Sequence, residues 1–245
     1  MAAPLLEVED LGKRFGGFVA LDGIDLSVAA GERVGLIGPN GSGKSTLVNC
    51  LCGTLHNETG TVKFDGVAFD GLSAHQRTRL GMSRSFQLPR PFFSMNLADN
   101  LRIPLIYAVG ARSGTHLSAS EIEARSAELL GMVGLAAKAK RRPRDLSQVE
   151  MRKLELARAM AAQPKLLIAD EAMAGLSRSE IEDILSLLMR LNQQGITIIL
   201  IEHIMSAVMR FSQRLIVLVS GRKIADDAPQ DVIQDPDVVR AYLGQ

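Results

Sequence analysis

Short, apolar runs separated by glycines mark the predicted strands of the chain. Runs 165–169, 196–201 and 215–219 are almost continuously apolar, which is typical of strands buried on both faces of a sheet. Helical patterns over 178–194 and 204–211 lie around these runs. This alternation predicts an α/β fold in which crossover helices join parallel strands. The other predicted strands are 5–8, 26–28, 33–37 and 61–64.

The middle of the chain has a helical pattern without strands. Segments 121–133 and 151–162 carry apolar residues at helical spacing. Segment 87–114 is rich in proline and aromatic residues, and it is predicted to be irregular. A block of helices inserted into an α/β core predicts two lobes.

Composition narrows the possible functions. The chain has 245 residues, of which 47% are hydrophobic, enough for one large core or two lobes. Its 28 basic and 27 acidic residues leave a net charge of +1, so no electrostatic footprint for nucleic acid is present. Cys50 and Cys52 are expected to be small core residues without a disulfide. We expect no signal peptide and no membrane span, so other chains would supply any membrane helices.

One glycine-rich segment has the pattern of a phosphate-binding loop. It follows the strand predicted at 33–37, precedes a helix predicted at 47–51, and matches Gly, four residues, then Gly-Lys-Ser/Thr. Backbone N–H groups and the helix N-terminus would surround phosphates, Lys44 would supply a cation, and Ser45 would offer a hydroxyl to Mg²⁺. The alternative is a glycine-rich turn without a ligand. We call this segment the cradle; its residues are Gly38, Pro39, Asn40, Gly41, Ser42, Gly43, Lys44, Ser45 and Thr46.

A pair of carboxylates ends the apolar run 166–169. Asp170 is predicted to bind Mg²⁺ through water, and Glu171 to polarise the attacking water. An apolar strand that ends in Asp-Glu is commonplace, so the alternative is a structural pair. The cradle upstream makes the catalytic interpretation the stronger one.

With these motifs in this order, essentially the whole chain resembles ATP-binding-cassette (ABC) ATPases. The resemblance implies a single domain, 1–245, with a RecA-like P-loop NTPase core lobe, an antiparallel β subdomain and an inserted α-helical lobe. Residues 1–87 and 163–245 would form the core and β lobe, and about 88–162 the helical lobe. ATP and Mg²⁺ are the implied cofactors.

The resemblance also implies roles for residues outside the cradle. Gln87 resembles the glutamine that contacts Mg²⁺ and the attacking water, and His203 the switch histidine that senses the γ-phosphate. Phe15 matches the aromatic residue that stacks on adenine, and residues 174–177 match the loop that crosses the dimer interface. Without the resemblance, His203 would be read as structural and Phe15 as a core or edge residue.

The expected signature, Leu-Ser-Gly-Gly-Gln or Leu-Ser-Tyr-Gly-Gln, is altered in this chain. In the family it completes the cradle of a second subunit. A β-branched valine narrows the approach of a phosphate and a glutamate adds negative charge, so we expect weaker nucleotide engagement. Ala172 and Ile204 stand where the family usually has Pro and Asp. The signature residues here are Leu146, Ser147, Gln148, Val149 and Glu150.

A narrower resemblance, to ATPases of branched-chain amino-acid importers, is carried by segments 84–93, 96–101, 219–224 and 241–244. It implies membrane-spanning permease subunits, a periplasmic solute-binding protein, and a location at the cytoplasmic face of the bacterial inner membrane. Urea, amide and aromatic-acid importers share these segments, so the solute is left open. A lipopolysaccharide-export branch shares them more weakly, and an exporter subunit is an alternative.

The altered signature raises the question of the partner. A heterodimer with a paralogous ATPase would keep one competent site, whereas a homodimer would have two impaired sites, so we predict the heterodimer. A regulatory nucleotide-binding subunit with little hydrolysis is one alternative, which the retained Glu171 and His203 oppose. Soluble ABC proteins of DNA repair or translation are another, opposed by the single cassette and the balanced charge. The basic run 138–144 is predicted to be a solvated loop rather than a contact for phosphate or lipid headgroups.

Overall fold

The structure, a computed structural model, describes residues 3–85, 89–110, 112, 114 and 117–243. These residues form two compact units, one from the segments up to 74 and from 192 onward, and one from 75–191. The strands are β1 Leu6–Phe15, β2 Phe18–Val28, β3 Arg33–Ile37, β4 Thr59–Phe64, β5 Val67–Ala68, β6 Met82–Ser85, β7 Leu166–Asp170, β8 Thr197–Ile201, β9 Arg214–Val219 and β10 Arg222–Asp227. The α-helices are α1 Lys44–Cys52, α2 Ala74–Leu80, α3 Leu97–Pro104, α4 Ala119–Met132, α5 Gln148–Ala161, α6 Arg178–Gln193, α7 Met205–Phe211, α8 Pro229–Val232 and α9 Pro236–Leu243.

In the first unit, an antiparallel sheet has the strand order β2-β1-β4-β5. Its longest pair, β1 and β2, is a hairpin whose strands close at Phe15 opposite Phe18. Gly16 occupies the turn with φ 59°, a conformation that glycine adopts without strain. The antiparallel subdomain is thus confirmed, although β1 and β2 extend well beyond the predicted 5–8 and 26–28.

The same unit contains parallel strands, as the apolar runs predict. Strand β3 pairs in parallel with both β8 and β9, and β10 is antiparallel to β9. Every residue of β8 is buried, which fits a strand covered on both faces. Ile37, the last residue of β3, lies in a buried cluster with residues of α7, α8 and α9. This packing fixes the strand end from which the cradle starts.

The second unit contains a parallel pair, β6 and β7, together with the helices α3 to α6. Three of these helices begin after a serine that is followed three residues later by a glutamate: Ser118–Glu121 at α4, Ser147–Glu150 at α5 and Ser177–Glu180 at α6. In each, the glutamate carboxylate accepts a hydrogen bond from the backbone N–H of the serine. At α4 and α5 the serine hydroxyl also accepts a hydrogen bond from the glutamate backbone N–H, the reciprocal capping box that defines a helix start. At α6 the hydroxyl of Ser177 instead donates to the carboxylate of Glu180.

The prediction that 87–114 is irregular is wrong for a large part of that segment. It contains α3, followed by a π-helix at Leu105–Gly110. Asn96 caps α3 by accepting a hydrogen bond from the backbone N–H of Asp99, and Leu97, Leu101 and Leu105 are buried at a spacing of four residues. Proline and aromatic residues outside this apolar stripe had obscured the helix.

Two further observations concern membrane-spanning helices and disulfides. No helix in the described ranges is long and apolar enough to cross a membrane. Cys50 is buried in α1, Cys52 is half-buried, and neither forms a disulfide.

Candidate functional site

The cradle connects β3 directly to α1 in the first unit. Helix α1 starts at Lys44, three residues earlier than predicted, and Gly43 precedes it with φ 105° and no side-chain cap. The first backbone N–H groups of α1 are therefore not used by a capping side chain, and they carry the positive end of the helix dipole. Such a helix start is suited to a phosphate.

Two glycines of the cradle lie where a side chain would collide with backbone. A Cβ atom on Gly38 would lie 2.1 Å from the carbonyl oxygen of Leu218, and one on Gly43 would lie 2.8 Å from that of Ala20. Both distances are below 3.0 Å, a separation that real Cβ atoms essentially never show. The glycines therefore let the loop pass close to β9 and β2, and packing by itself requires glycine at these two positions.

The Lys44 side chain lies inside the cradle, where its ammonium group contacts backbone carbonyl oxygens. Its ammonium group donates to the carbonyl oxygens of Gly38 at 2.6 Å and Pro39 at 3.0 Å, and Lys44 is only 7% exposed. Ser45, one residue further, is exposed. The roles of Lys44 as phosphate contact and of Ser45 as magnesium ligand stay predictions, for which the structure provides a buried cation and an exposed hydroxyl at consecutive positions.

The C-terminal helix α9 also contacts the cradle. The backbone N–H of Gly38 donates a hydrogen bond to the phenol of Tyr242. Burial raises the pKa of the Tyr242 phenol, and the hydrogen bond from Gly38 opposes that rise. Sequence reasoning noted Tyr242 only as part of a family ending, because a contact across some two hundred residues leaves no local signal.

In the second unit, Asp170 is the last residue of the buried strand β7. Its Oδ2 accepts a hydrogen bond from Nη2 of Arg84, on the neighbouring strand β6, at 2.6 Å. Within the part of the chain that the structure describes, its Oδ1 accepts no hydrogen bond. Asp170 thus keeps one carboxylate oxygen for a further ligand. No sequence motif had pointed to Arg84 as its partner.

Glu171 follows Asp170 in a strained backbone conformation. Its φ is 47°, in the left-handed region that residues with a side chain rarely adopt. Such strain costs on the order of 1 kcal/mol and is often found at functional residues. Ala172, which replaces the family's usual proline, is buried next to it.

His203 lies on the connection between β8 and α7 and is exposed. Ile204 is the residue that immediately precedes α7, where an aspartate would accept hydrogen bonds from the first turn, and it makes no side-chain cap. The replacement of the family's aspartate therefore leaves this helix start uncapped.

Phe15, at the tip of the β1–β2 hairpin, is 51% exposed. The ammonium of Lys13 lies 5.7 Å from the centre of its ring. The alternative of a core phenylalanine is wrong for this residue. Its exposed ring is available for stacking, as the adenine interpretation requires.

The signature forms the start of α5, and its altered residues have local partners. Ser147 caps the helix by accepting a hydrogen bond from the Glu150 backbone N–H, and the Glu150 carboxylate accepts one from the Ser147 backbone N–H. Lys138 donates to both oxygens of Glu150, at 2.6 and 2.7 Å. Hydrogen bonds from Lys138 and Ser147 lower the pKa of the Glu150 carboxyl. The charge of Glu150 is therefore compensated within the same unit, and Lys138 is not merely part of a solvated loop.

Gln148 links the signature to the loop predicted to cross the dimer interface. Its amide donates to the carbonyl oxygen of Ala174 at 3.4 Å, which Arg152 also contacts. A Cβ atom on Gly175 would lie 2.7 Å from the Gln148 amide nitrogen. The signature and this loop are thus in contact, which neither segment shows by itself in the sequence.

The predicted magnesium ligands fit the ion in part. Carboxylate and hydroxyl oxygens, which Asp170 and Ser45 supply, are the ligands that Mg²⁺ prefers. Asp170 has an oxygen to offer, and Ser45 is accessible. The third predicted ligand, Gln87, lies outside the described residues.

Comparison with known proteins covers nearly the whole chain. The family described as "ABC transporter" matches residues 21–174, and the family described as "Branched-chain amino acid ATP-binding cassette transporter" matches residues 222–245. The high-affinity branched-chain amino acid transport ATP-binding proteins BraF of Pseudomonas aeruginosa and LivG of Escherichia coli are 37% and 38% identical, each over 100% of both chains. A crystal structure of the ADP conformation of an ATP-binding cassette of an ABC transporter superimposes with a TM-score of 0.88 at 31% identity, and it covers 100% of both chains. These alignments span the cradle, the signature and the C-terminal helix alike.

Proposed function

Because the chain belongs to the ABC transporter family, we propose that it binds and hydrolyses ATP to drive the import of branched-chain amino acids or related small solutes. The observation that carries this proposal is the cradle: an uncapped helix start, a buried lysine and glycines packed against backbone. The similarity to BraF and LivG over the full length supports the class of solute. As an ATPase subunit of this family, the chain works with membrane permease subunits.

In this proposal the first unit holds the nucleotide. Lys44 and the N-terminus of α1 bind the phosphates, and Phe15 stacks on adenine. His203 contacts the γ-phosphate, as the family resemblance implies. The exposed positions of Phe15 and His203 support their access to a ligand.

The second unit supplies the carboxylates. Asp170, Ser45 and Gln87 are the proposed holders of Mg²⁺, and the ion would neutralise phosphate charge when it is bound. Glu171 accepts a proton from the attacking water, or polarises it. Glu171 has a left-handed backbone conformation, which is often found at functional residues, and this supports its proposed catalytic role.

The permease contact is proposed for the segment after Gln87. Phe92 and Phe93 are both exposed large apolar residues, and the guanidinium of Arg158 lies 5.2 Å from the centre of the Phe92 ring. Exposed aromatic side chains of this kind are typical of protein interfaces. When two ATPase subunits close around ATP, this segment would transmit their movement to the membrane subunits.

We further propose that this chain pairs with a paralogous ATPase and that the pair is asymmetric. Its cradle and carboxylates are intact, whereas Val149 and Glu150 stand in the signature that it offers to its partner. One competent and one impaired site follow from this arrangement. A periplasmic solute-binding protein would deliver the solute at the other side of the membrane.

The substitution Glu171→Gln tests the hydrolytic role. In the complex with permease and second ATPase, we expect it to lower ATP turnover by about 100-fold or more, since a general base typically contributes at least that factor. ATP affinity should stay close to that of the wild type, because glutamine keeps the size of the side chain. Glu128→Gln, on an exposed position of α4, is the matched control. Turnover that survives E171Q would show that Glu171 is not the base.

A further inference from the structure

Arg84 is fixed beside Asp170 by the register of two strands. Arg84 lies opposite Ile168 in the parallel pair of β6 and β7, and Asp170 is two residues beyond Ile168. Residues two apart on a strand point to the same face, so the two side chains share one face of the pair. The contact measures 2.6 Å, with side-chain exposures of 14% for Arg84 and 11% for Asp170. The ion pair is therefore largely buried, and it joins two neighbouring strands of one sheet.

We propose that Arg84 is the built-in counter-ion of Asp170 and that it weakens the hold of Asp170 on a divalent cation. Binding of the metal ion and the Arg84–Asp170 contact would then oppose each other. This inference rests on the proposed function, because it takes Asp170 as a residue that holds magnesium with the nucleotide.

The reason is the charge on Arg84. Arginine stays protonated at any ordinary pH, so its charge on Asp170 cannot be removed by titration. A divalent ion that approaches the same carboxylate is repelled by that charge. Because the ion pair is shielded from water, this repulsion is only weakly screened. Arg84 contacts Oδ2 of Asp170, and Oδ1 accepts no hydrogen bond from the described residues, so Arg84 would set the affinity without occupying both carboxylate oxygens. By reciprocity, a bound ion weakens the ion pair as much as the ion pair weakens ion binding.

A purely structural role for Arg84 makes a different prediction. If Arg84 only joined β6 to β7, its loss would destabilise the chain equally with and without metal. It would leave the metal affinity of the folded protein unchanged. The affinity for a metal ion therefore separates the two roles.

The experiment uses Mn²⁺ as a probe that is visible by electron paramagnetic resonance. The full chain is titrated with Mn²⁺ at saturating ADP, as wild type and as the variants R84Q, R84M and R84K. We expect R84Q and R84M to bind Mn²⁺ about tenfold more tightly, a coupling of ordinary size between two sites. R84K keeps the charge and should stay within about twofold of the wild type.

The matched control removes another buried ion pair of the same unit. Arg158 contacts Glu155 at 2.6 Å, with side-chain exposures of 18% and 5%. R158Q should lower the thermal stability without a change in Mn²⁺ affinity. Thermal unfolding gives a second readout: Mn²⁺ with ADP should raise the melting temperature of R84Q more than that of the wild type, because the ion replaces the missing counter-ion.

Each outcome decides the proposal. Equal or weaker Mn²⁺ binding by R84Q and R84M overturns it and leaves the proposed function standing. If these variants fail to fold without ligand, Mn²⁺ with ADP is expected to restore cooperative unfolding, and failure of that rescue overturns the proposal as well. A wild-type chain that does not bind Mn²⁺ with ADP overturns the proposed function, and the inference with it.

Discussion

At the scale of single residues, the two most unusual substitutions of the signature have different surroundings. Glu150 is paired with Lys138 and completes the cap of α5, so most of its charge is compensated before any phosphate approaches. Val149 is half-buried in the first turn of the same helix. We expect its β-branched side chain to narrow the approach of a phosphate. The structure therefore shifts the expected impairment from charge to shape.

This shift leads to a prediction for the assembled complex. We expect the double substitution V149G with E150Q to raise ATP turnover by about tenfold, a change of about 1.4 kcal/mol in the barrier. V149G alone should give most of the gain, and E150Q alone little, because glutamine also completes a capping box. Turnover per complex at saturating ATP is the measurement. A gain that follows E150Q instead of V149G would contradict the steric explanation.

At the scale of elements, the second unit relies on glutamates that cap helices. Hydrogen bonds from Ser118 lower the pKa of Glu121, and those from Ser177 lower the pKa of Glu180, as Lys138 and Ser147 do for Glu150. A carboxyl with a lowered folded-state pKa stabilises the protein fully above its ordinary pKa of about 4.5. That stabilisation is lost as the pH falls through the lower, folded-state value.

Acid should therefore weaken these helix starts together. We expect the melting temperature of the wild type to fall between about pH 5 and pH 3 more steeply than that of the triple variant E121Q, E150Q and E180Q, whose amides do not titrate in this range. Circular dichroism melts at each pH give the comparison. The control variant E128Q removes an exposed glutamate outside the caps and should follow the wild type. Parallel pH profiles for the wild type and the triple variant would contradict the role of the caps.

The same elements show how far sequence reasoning reaches. Apolar runs located β3, β7, β8 and β9 within a residue or two, because burial on both faces leaves a continuous signal. Strand β6 was missed, because its serines and Arg84 do not have the pattern of a buried strand. Helices α8 and α9 were missed, because they are short and are held by packing on a distant core.

Within the candidate site, the motifs were visible in the sequence, whereas their partners were not. The cradle is a local pattern, and its position between β3 and α1 agrees with the prediction. Arg84 and Asp170 lie 86 positions apart, and Tyr242 contacts Gly38 from the other end of the chain. Such contacts depend on strand register and helix docking, which a linear pattern does not encode.

At the scale of the whole molecule, an intact cradle and an altered signature belong to different composite sites. In this family, a site joins the cradle of one subunit to the signature of the other. The carboxylates and cradle of this chain would meet the partner's signature, and Val149 would meet the partner's cradle. A homodimer of this chain would repeat the altered signature at both sites, whereas a heterodimer would contain it once.

This asymmetry predicts unequal effects of one substitution made in either subunit. We expect E171Q in this chain to remove most of the ATP turnover of the complex. The equivalent glutamine in a paralogous partner should remove little, because in the proposed pair the partner's cradle would face the altered signature. Co-expression should yield the two ATPases in equal amounts with the permease, and the mass of the complex measures this composition. Turnover per complex measures the effect of each substitution. With V149G in this chain, the partner's substitution should also lower the ATP turnover of the complex. The reason is that glycine would widen the site that joins the partner's cradle to this chain's signature. Equal losses from both substitutions, or a stable and fully active homodimer, would contradict the asymmetric pair.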